Sequence, residues 1–522
     1  ILLGAQLSNE QDPAKATQAM LAEIEDVARQ PITEAELARA KSKWLNEWEQ
    51  GFADPQHVGV ALSEAVAQGD WRLFFLTRDR IRAIGLADVQ RVATQTFLPS
   101  NRTLGQYVPT AIPQRAPQPA RVDVVAALKD FKGQAAAAAA EAFDASPANI
   151  DARTQRLSLP SGMQVALLPK STRVQAELSI GGSPGRLTVQ LSTRRDKLPE
   201  AIALLGEMLR QPALPADALE EVRRQALSAI DASRKEPDAV LDEALARHGN
   251  PYPRGDVRYA RTFDETEADW KALQLDRVKA YHQQFLGASH AQFAAVGDLD
   301  AAATVAALTA AFGDWRSPAA YARVPDPFLT VKPTTMQLAT PDRQNASLAV
   351  SLPLPLSDTH ADYPALMLAN HLLGGGGDSR LWNRIREKDG LSYSVYSSMQ
   401  WNAEEPHSRW TAAANFAPQN RDKVLAAFHE EILRARKEGF SQAEFEAGKR
   451  GLLSFRRLSR AQDARLASGW ASNLYLQRTF ALSAQVDQAL ENLTLAQVNE
   501  ALRRYIQPGQ FVLGVAGDFK TP

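Results

Sequence analysis

"LLGGGGDSRLWNRIREKDGLSYSVYSS", residues 372–398, sets a run of glycines beside a short basic segment, a further glycine and a stretch rich in serine and tyrosine. The spacing predicts a helix over 379–388. Leu381 and Ile385 fall on one face at i and i+4, Arg380 and Arg384 share another, and Arg386 lies in the last turn before Gly390 ends the helix. A strand follows over 391–398, in which Leu391, Tyr393 and Val395 alternate with Ser392, Ser394 and Tyr396. Gly374, Gly375, Gly376 and Gly377 are either a flexible or left-handed connection between helices or a place where extended peptide backbone comes close. A helix-turn-strand of this length can bring the guanidinium of Arg386 and the phenol of Tyr393 to one cleft. There they would donate hydrogen bonds to a peptide carbonyl, or to the oxyanion formed when it is attacked. On spacing alone, a surface ion pair and a packed phenol are the simpler account.

Several chemistries are missing. "GGGGDSR" lacks the terminal G-K-[ST] of a phosphate-binding P-loop, and no serine stands in a G-x-S-x-G elbow. There is no cysteine, which removes disulfides, thiolate metal sites and cysteine nucleophiles together. The histidines (His57, His248, His282, His290, His360, His371, His407 and His429) include no pair at the i, i+4 spacing of a zinc-binding helix, so neither H-E-x-x-H nor H-x-x-E-H occurs. His429 reads as part of a solvated helix face, and His371 as a helix-terminal residue.

The 522 residues, 45% hydrophobic and 23% charged with a net charge of −1, describe a globular chain with no overall field for nucleic acid or anionic lipid. No apolar run reaches the ~18 residues of a membrane span. The opening "ILLGAQLSNEQDP" reads as a strand leading into a helix, so a targeting peptide would lie upstream.

The chain also repeats itself. "PITEAELARAKSKWL" from Pro31 matches "GFSQAEFEAGKRGLL" from Gly439 at an offset of 408, each opening on a capping box, Thr33 with Glu36 and Ser441 with Glu444. Ile84, Leu86 and Val89 match Leu493, Leu495 and Val498 at an offset of 409, and Leu273, Leu275, Val278 and Gly297 match Leu493, Leu495, Val498 and Gly517 at 220. Large mixed repeats of this kind indicate duplicated α/β domains. Between the copies, "AIPQRAPQPARVD" and "GQAAAAAAEAF" read as a linker. Apolar spacing predicts strands near 163–168, 174–180, 186–191, 291–297, 347–352, 391–398, 409–416 and 511–516, interspersed with helices that include 361–373 and 442–467. The fold class is therefore α+β.

The pattern carried by Leu373, Gly374, Gly375, Ser379, Arg380, Leu381, Arg386, Gly390, Leu391, Tyr393 and Val395, together with "NPYPRGDVRY" at 250–259, resembles the C-terminal half of the pitrilysin/insulinase family of zinc metallopeptidases, the inverzincins. The resemblance implies duplicated sheet-plus-helices domains of the clamshell, processing-peptidase-like type, closing over a peptide. On it, residues 1–110 are the latter part of a second domain, 111–150 the linker between halves, 151–325 a shortened third domain and 326–522 the fourth. It gives Arg386 and Tyr393 catalytic roles at the substrate carbonyl, and Gly374, Gly375, Gly376, Gly377, Ser379 and Arg380 roles in substrate binding. Zinc would be bound outside this sequence and none by this chain, whose partners would be a peptide or unfolded protein and the zinc-bearing half or subunit. No nucleic acid and no membrane span are expected, and a periplasmic or secreted location is. The alternative is an inactive member that holds peptides or pairs with a separate zinc-bearing chain.

Overall fold

A computed structural model describes residues 13–53, 55–104, 141, 143–171, 177–183 and 185–519. The strand expected at the N-terminus and most of the expected linker lie outside them. The chain divides into two compact units, one of Ile1–Ala140, Arg173–Ser179 and Gln190–Arg194, the other of Glu141–Thr172, Ile180–Val189 and Arg195–Pro522.

In the first unit, the described residues before 105 form helices at Pro13–Glu25, Glu34–Ala53, Pro55–Ala67, Leu73–Ala83 and Leu86–Thr96. Trp48 stacks on Phe52 and Phe74 with ring centroids 5.0 and 4.8 Å apart, and Arg78 lies 4.6 Å from the Trp48 ring centroid. Such pairs stabilise beyond the area they bury.

The described strands are β1 (Gln155–Ser158), β2 (Gln164–Pro169), β3 (Glu177–Ser183), β4 (Arg186–Ser192) and β5 (Gln292–Gly297), then β6 (Thr334–Ala339), β7 (Ala346–Leu354), β8 (Ser392–Gln400), β9 (Ser408–Phe416) and β10 (Val512–Gly517), all within the second unit except the outer ends of β3 and β4. They form a sheet β1-β2-β5, a sheet β6-β10-β7-β9-β8 and a separate hairpin β3-β4. The α+β class holds. β7 shows why the larger sheet forms: Leu348, Val350, Leu352 and Leu354 are buried in alternation with half-buried Ala349, Ser351 and Pro353. β10 is buried along its whole length because it lies inside the sheet.

Backbone pairing is the same at matching positions of the two sheets. The Gln164 and Lys170 amides donate to the carbonyls of Ala291 and Gly297, and the Thr334 and Thr340 amides donate to those of Phe511 and Gly517. A helix from each region also covers the sheet of the other. Leu241, of Pro237–Arg247, is fully buried, and its Cδ2 would lie 2.6 Å from a Cβ added to Gly514 in β10. Leu466 and Trp470, of Asp463–Tyr475, pack with Ala166, Leu168, Ala294 and Val296 of β2 and β5.

The expected elements required some corrections. β1 and β6 were not anticipated, since four polar-rich residues and a Thr-Thr pair carry little apolar signal. The helix expected over 442–467 ends at Ala461, because Gln462 turns to an extended backbone (φ −85°, ψ 125°) before Asp463 starts the next helix.

Candidate functional site

The segment 371–388 contains two stretches of π-helix, His371–Gly375 and Trp382–Lys388. This corrects the plain α-helices expected over 361–373 and 379–388: the α-helix Tyr363–Asn370 widens as it reaches the glycines. The Gly376 amide donates to the His371 carbonyl and the Asp389 amide to that of Arg384, five residues back in each case. π-turns are rare and gather at functional sites.

What brings the backbone close at the glycines is the protein's own sheet. A Cβ on Gly374 would lie 2.5 Å from Ser397 Oγ and 2.8 Å from Ser397 N in β8, whereas one on Gly377 would meet open space. None of Gly374–Gly377 has a positive φ, so the left-handed reading is set aside. Gly375 and Gly377 are exposed, Gly376 is half-buried, and Gly374 is buried.

A buried polar knot anchors this end of the helix. Asn370 Oδ1 accepts from Ser397 Oγ at 2.7 Å and from Trp410 Nε1 at 2.9 Å, which ties the segment to β8 and β9. Sequence reading missed Asn370; a lone amide on an otherwise apolar helix was the available signal. Burial lowers the pKa of the neighbouring His371, which keeps its imidazole neutral.

Ser379 is buried, and its hydroxyl has no hydrogen-bond partner among the described residues. Arg380 is engaged within the fold. Its Nε and Nη2 donate to the two oxygens of Glu444 at 2.7 and 2.9 Å, Nη2 also donates to the Gly439 carbonyl at 2.7 Å, and its guanidinium lies 5.0 Å from the Phe440 ring centroid. That bidentate pair holds the Glu444 carboxyl at about 2, and Glu444 also completes the Ser441 capping box. Arg384 likewise donates to Asp389 at 2.8 Å and to Glu430 at 3.1 Å. The basic face read from the sequence is thus largely neutralised by carboxylates.

Arg386 and Tyr393 differ from these. Arg386 is exposed, stacked 4.0 Å from the Trp382 ring centroid, with Glu387 Oε1 no nearer than 3.9 Å. Tyr393 is 69% exposed, and its hydroxyl makes no hydrogen bond among the described residues. No hydrogen bond joins the two side chains.

A β-bulge explains the exposure of Tyr393. The pairing of β8 with β9 slips between Ser392 and Ser394, and Ser392 Oγ bonds the carbonyls of Ser394 and Asn415 across the irregularity. Simple alternation put Tyr393 and Val395 on one face. The bulge separates them, leaving Val395 1% exposed and Tyr393 turned to solvent. β8 is also an edge strand of its sheet. Among the described residues, no group of three or more His, Cys, Asp or Glu side chains stands ready to hold a metal ion.

Residues 272–452 match the peptidase M16 inactive domain. The chain is 28% identical over 204 residues to an uncharacterised zinc protease of Streptomyces coelicolor, an alignment covering 38% of this chain and 44% of that protein. It is 21% identical over 351 residues to the non-peptidase homolog YmxG of Helicobacter pylori, covering 66% and 78%. Among solved structures it resembles a peptidase M16 inactive domain from Pseudomonas fluorescens, with a TM-score of 0.57 and 20% identity over 70% of this chain and 97% of that one. It also resembles the periplasmic protease PqqL from Escherichia coli, with a TM-score of 0.56 and 16% identity over 96% of this chain and 63% of that one.

Proposed function

We propose, on the premise that this chain carries the C-terminal, non-catalytic half of the pitrilysin/insulinase family of M16 peptidases, that it binds extended peptide beside β8 and offers Arg386 and Tyr393 to the peptide carbonyls. One observation carries this reading: the Tyr393 phenol is exposed to solvent with no hydrogen-bond partner among the described residues, on an edge strand whose inner face is anchored by the Asn370 knot. A buried anchor beneath an exposed donor positions that donor for something outside the fold. In a complete enzyme the zinc would come from other polypeptide, and the two donors would stabilise the oxyanion. The proposal includes a periplasmic location and two duplicated domains, 151–325 and 326–522, of which the first lacks a segment.

A second reading is favoured by the similarity to a non-peptidase homolog: the chain holds peptide or a zinc-bearing partner and does no chemistry itself. Zinc content and cleavage of an unstructured peptide by the purified chain separate the two. Neither reading has the chain hydrolyse peptide alone, so stoichiometric zinc with cleavage by this chain would overturn both.

A further inference from the structure

The two sheets of the second unit match strand for strand at one side and part company at the other. β2 lies parallel to β5 as β6 lies parallel to β10. The hairpins β3-β4 and β8-β9 are each followed by Arg-Asp-Lys, Arg195–Lys197 leading into the helix Leu198–Arg210 and Arg421–Lys423 forming the first turn of the helix Arg421–Glu438. In the larger sheet β7 joins β10 to β9. In the smaller, β2 ends at Pro169 and β3 begins at Glu177, and among the described residues no strand pairs with the far side of β5.

The backbone atoms on that side can be named. A strand residue points its N–H and C=O to one side, and the next residue points to the other. Ala291 and Gly297 present their carbonyls to β2, so Gln292, Ala294 and Val296 turn their polar backbone groups to the open edge. At the matching positions Val512, Gly514 and Ala516 pair with Ser351, Ala349 and Ser347 of β7. A second observation is independent of this one. In Arg421–Glu438, Glu430 bonds Arg384 of the π-helical segment at 3.1 Å. The residues 226 positions earlier than Glu430 and Arg434 are Leu204 and Met208, and these are 56% and 39% exposed. An apolar surface is exposed where the counterpart helix presents the charged Glu430 and Arg434 to solvent.

We propose that the open edge of β5 is a strand-acceptor site that takes an extended segment of another polypeptide, antiparallel to β5 and with alternating apolar side chains, in the position β7 occupies against β10. The occupant's alternate side chains would extend the two cores that flank β5, one containing Phe293 and Ala295, the other Ala294 and Val296. Its continuation would cover Leu204 and Met208. The proposal does not rest on the reading of Arg386 and Tyr393.

The test uses the full chain and a fluorescent, lysine-flanked peptide of the β7 sequence, ASLAVSLPL, followed by anisotropy. Saturable binding is expected, weakened at least tenfold when the peptide is N-methylated at the residues equivalent to Ala349 and Ser351, whose amides face the acceptor strand. Ala294→Pro removes one N–H from the open edge while sparing the β2 ladder, and should weaken binding to a similar degree. Because the N-methylated peptide needs no altered protein, the test stands even if that variant fails to fold. Equal binding of native and N-methylated peptide would mean apolar adhesion and overturn the proposal. So would absence of binding, or a stable dimer in sedimentation that excludes the peptide, since the edge would then serve a second copy.

Discussion

Gly374 and Asn370 carry the most structural constraint per atom at the candidate site. A methyl group on Gly374 would press on the Ser397 amide of β8, so Gly374→Ala should destabilise the protein by about 1–3 kcal/mol in denaturant titration. Asn370→Ala strands the Trp410 indole N–H and the Ser397 hydroxyl in the core, at about 1–3 kcal/mol for each unsatisfied group. Arg386 and Tyr393 make no comparable contacts, so Arg386→Ala and Tyr393→Phe should leave stability within about 0.5 kcal/mol of the parent. In a complete enzyme each should lower kcat/KM by about 2.7–4 kcal/mol of transition-state stabilisation with zinc occupancy unchanged. An unchanged rate would remove the oxyanion role from the residue tested. The Arg380–Glu444 pair gives a pH signature: with Glu444 held at about 2 against an ordinary 4.5, its contribution is present above 4.5 and is lost as pH falls toward 2. Glu444→Gln should flatten that part of the stability profile.

At the scale of elements, a lysine repeatedly closes the end of a helix. Lys41 donates to the carbonyls of Arg82 and Ile84, and Lys449 to those of Glu491 and Leu493, at the offsets read from the sequence. Arg223 donates to the carbonyls of Trp270 and Leu273 in the same manner. Lys449→Met should cost about 1 kcal/mol, since a cation at a helix C-terminus answers unpaired carbonyls and the dipole together. Much of this was legible in the sequence: the capping boxes at Thr33 and Ser441, the alternation in β7 and β9, and the apolar β10 follow from short-range chemistry. The π-helical widening and the bulge at Ser392 were not. Each depends on how a helix end meets a neighbouring strand, a contact that period-counting along one element does not contain. For the same reason Arg380 read as a substrate-binding candidate beside the catalytic candidates Arg386 and Tyr393, although it is bound to Glu444 across 64 residues of sequence.

For the whole molecule, the proposal of a chain similar to the M16 inactive domain makes sense of both the absent zinc motif and the exposed pair. The knot at Asn370 and the packing of Gly374 fix β8 from within, while Tyr393 is exposed and Arg386 is held only by its stacking on Trp382 and a long approach to Glu387. The account's central claim is that peptide binding depends on these donors and on no metal in this chain. It is tested most directly by measuring the affinity of the purified chain for an extended, unstructured peptide after chelator treatment, with the parent and an Arg386→Ala, Tyr393→Phe double variant side by side. Two lost hydrogen bonds of about 1 kcal/mol each, more where the donor is charged, correspond to at least a tenfold weakening, so the account predicts chelator-insensitive binding that falls by that factor in the variant. Binding abolished by the chelator, or identical in parent and variant, would contradict it.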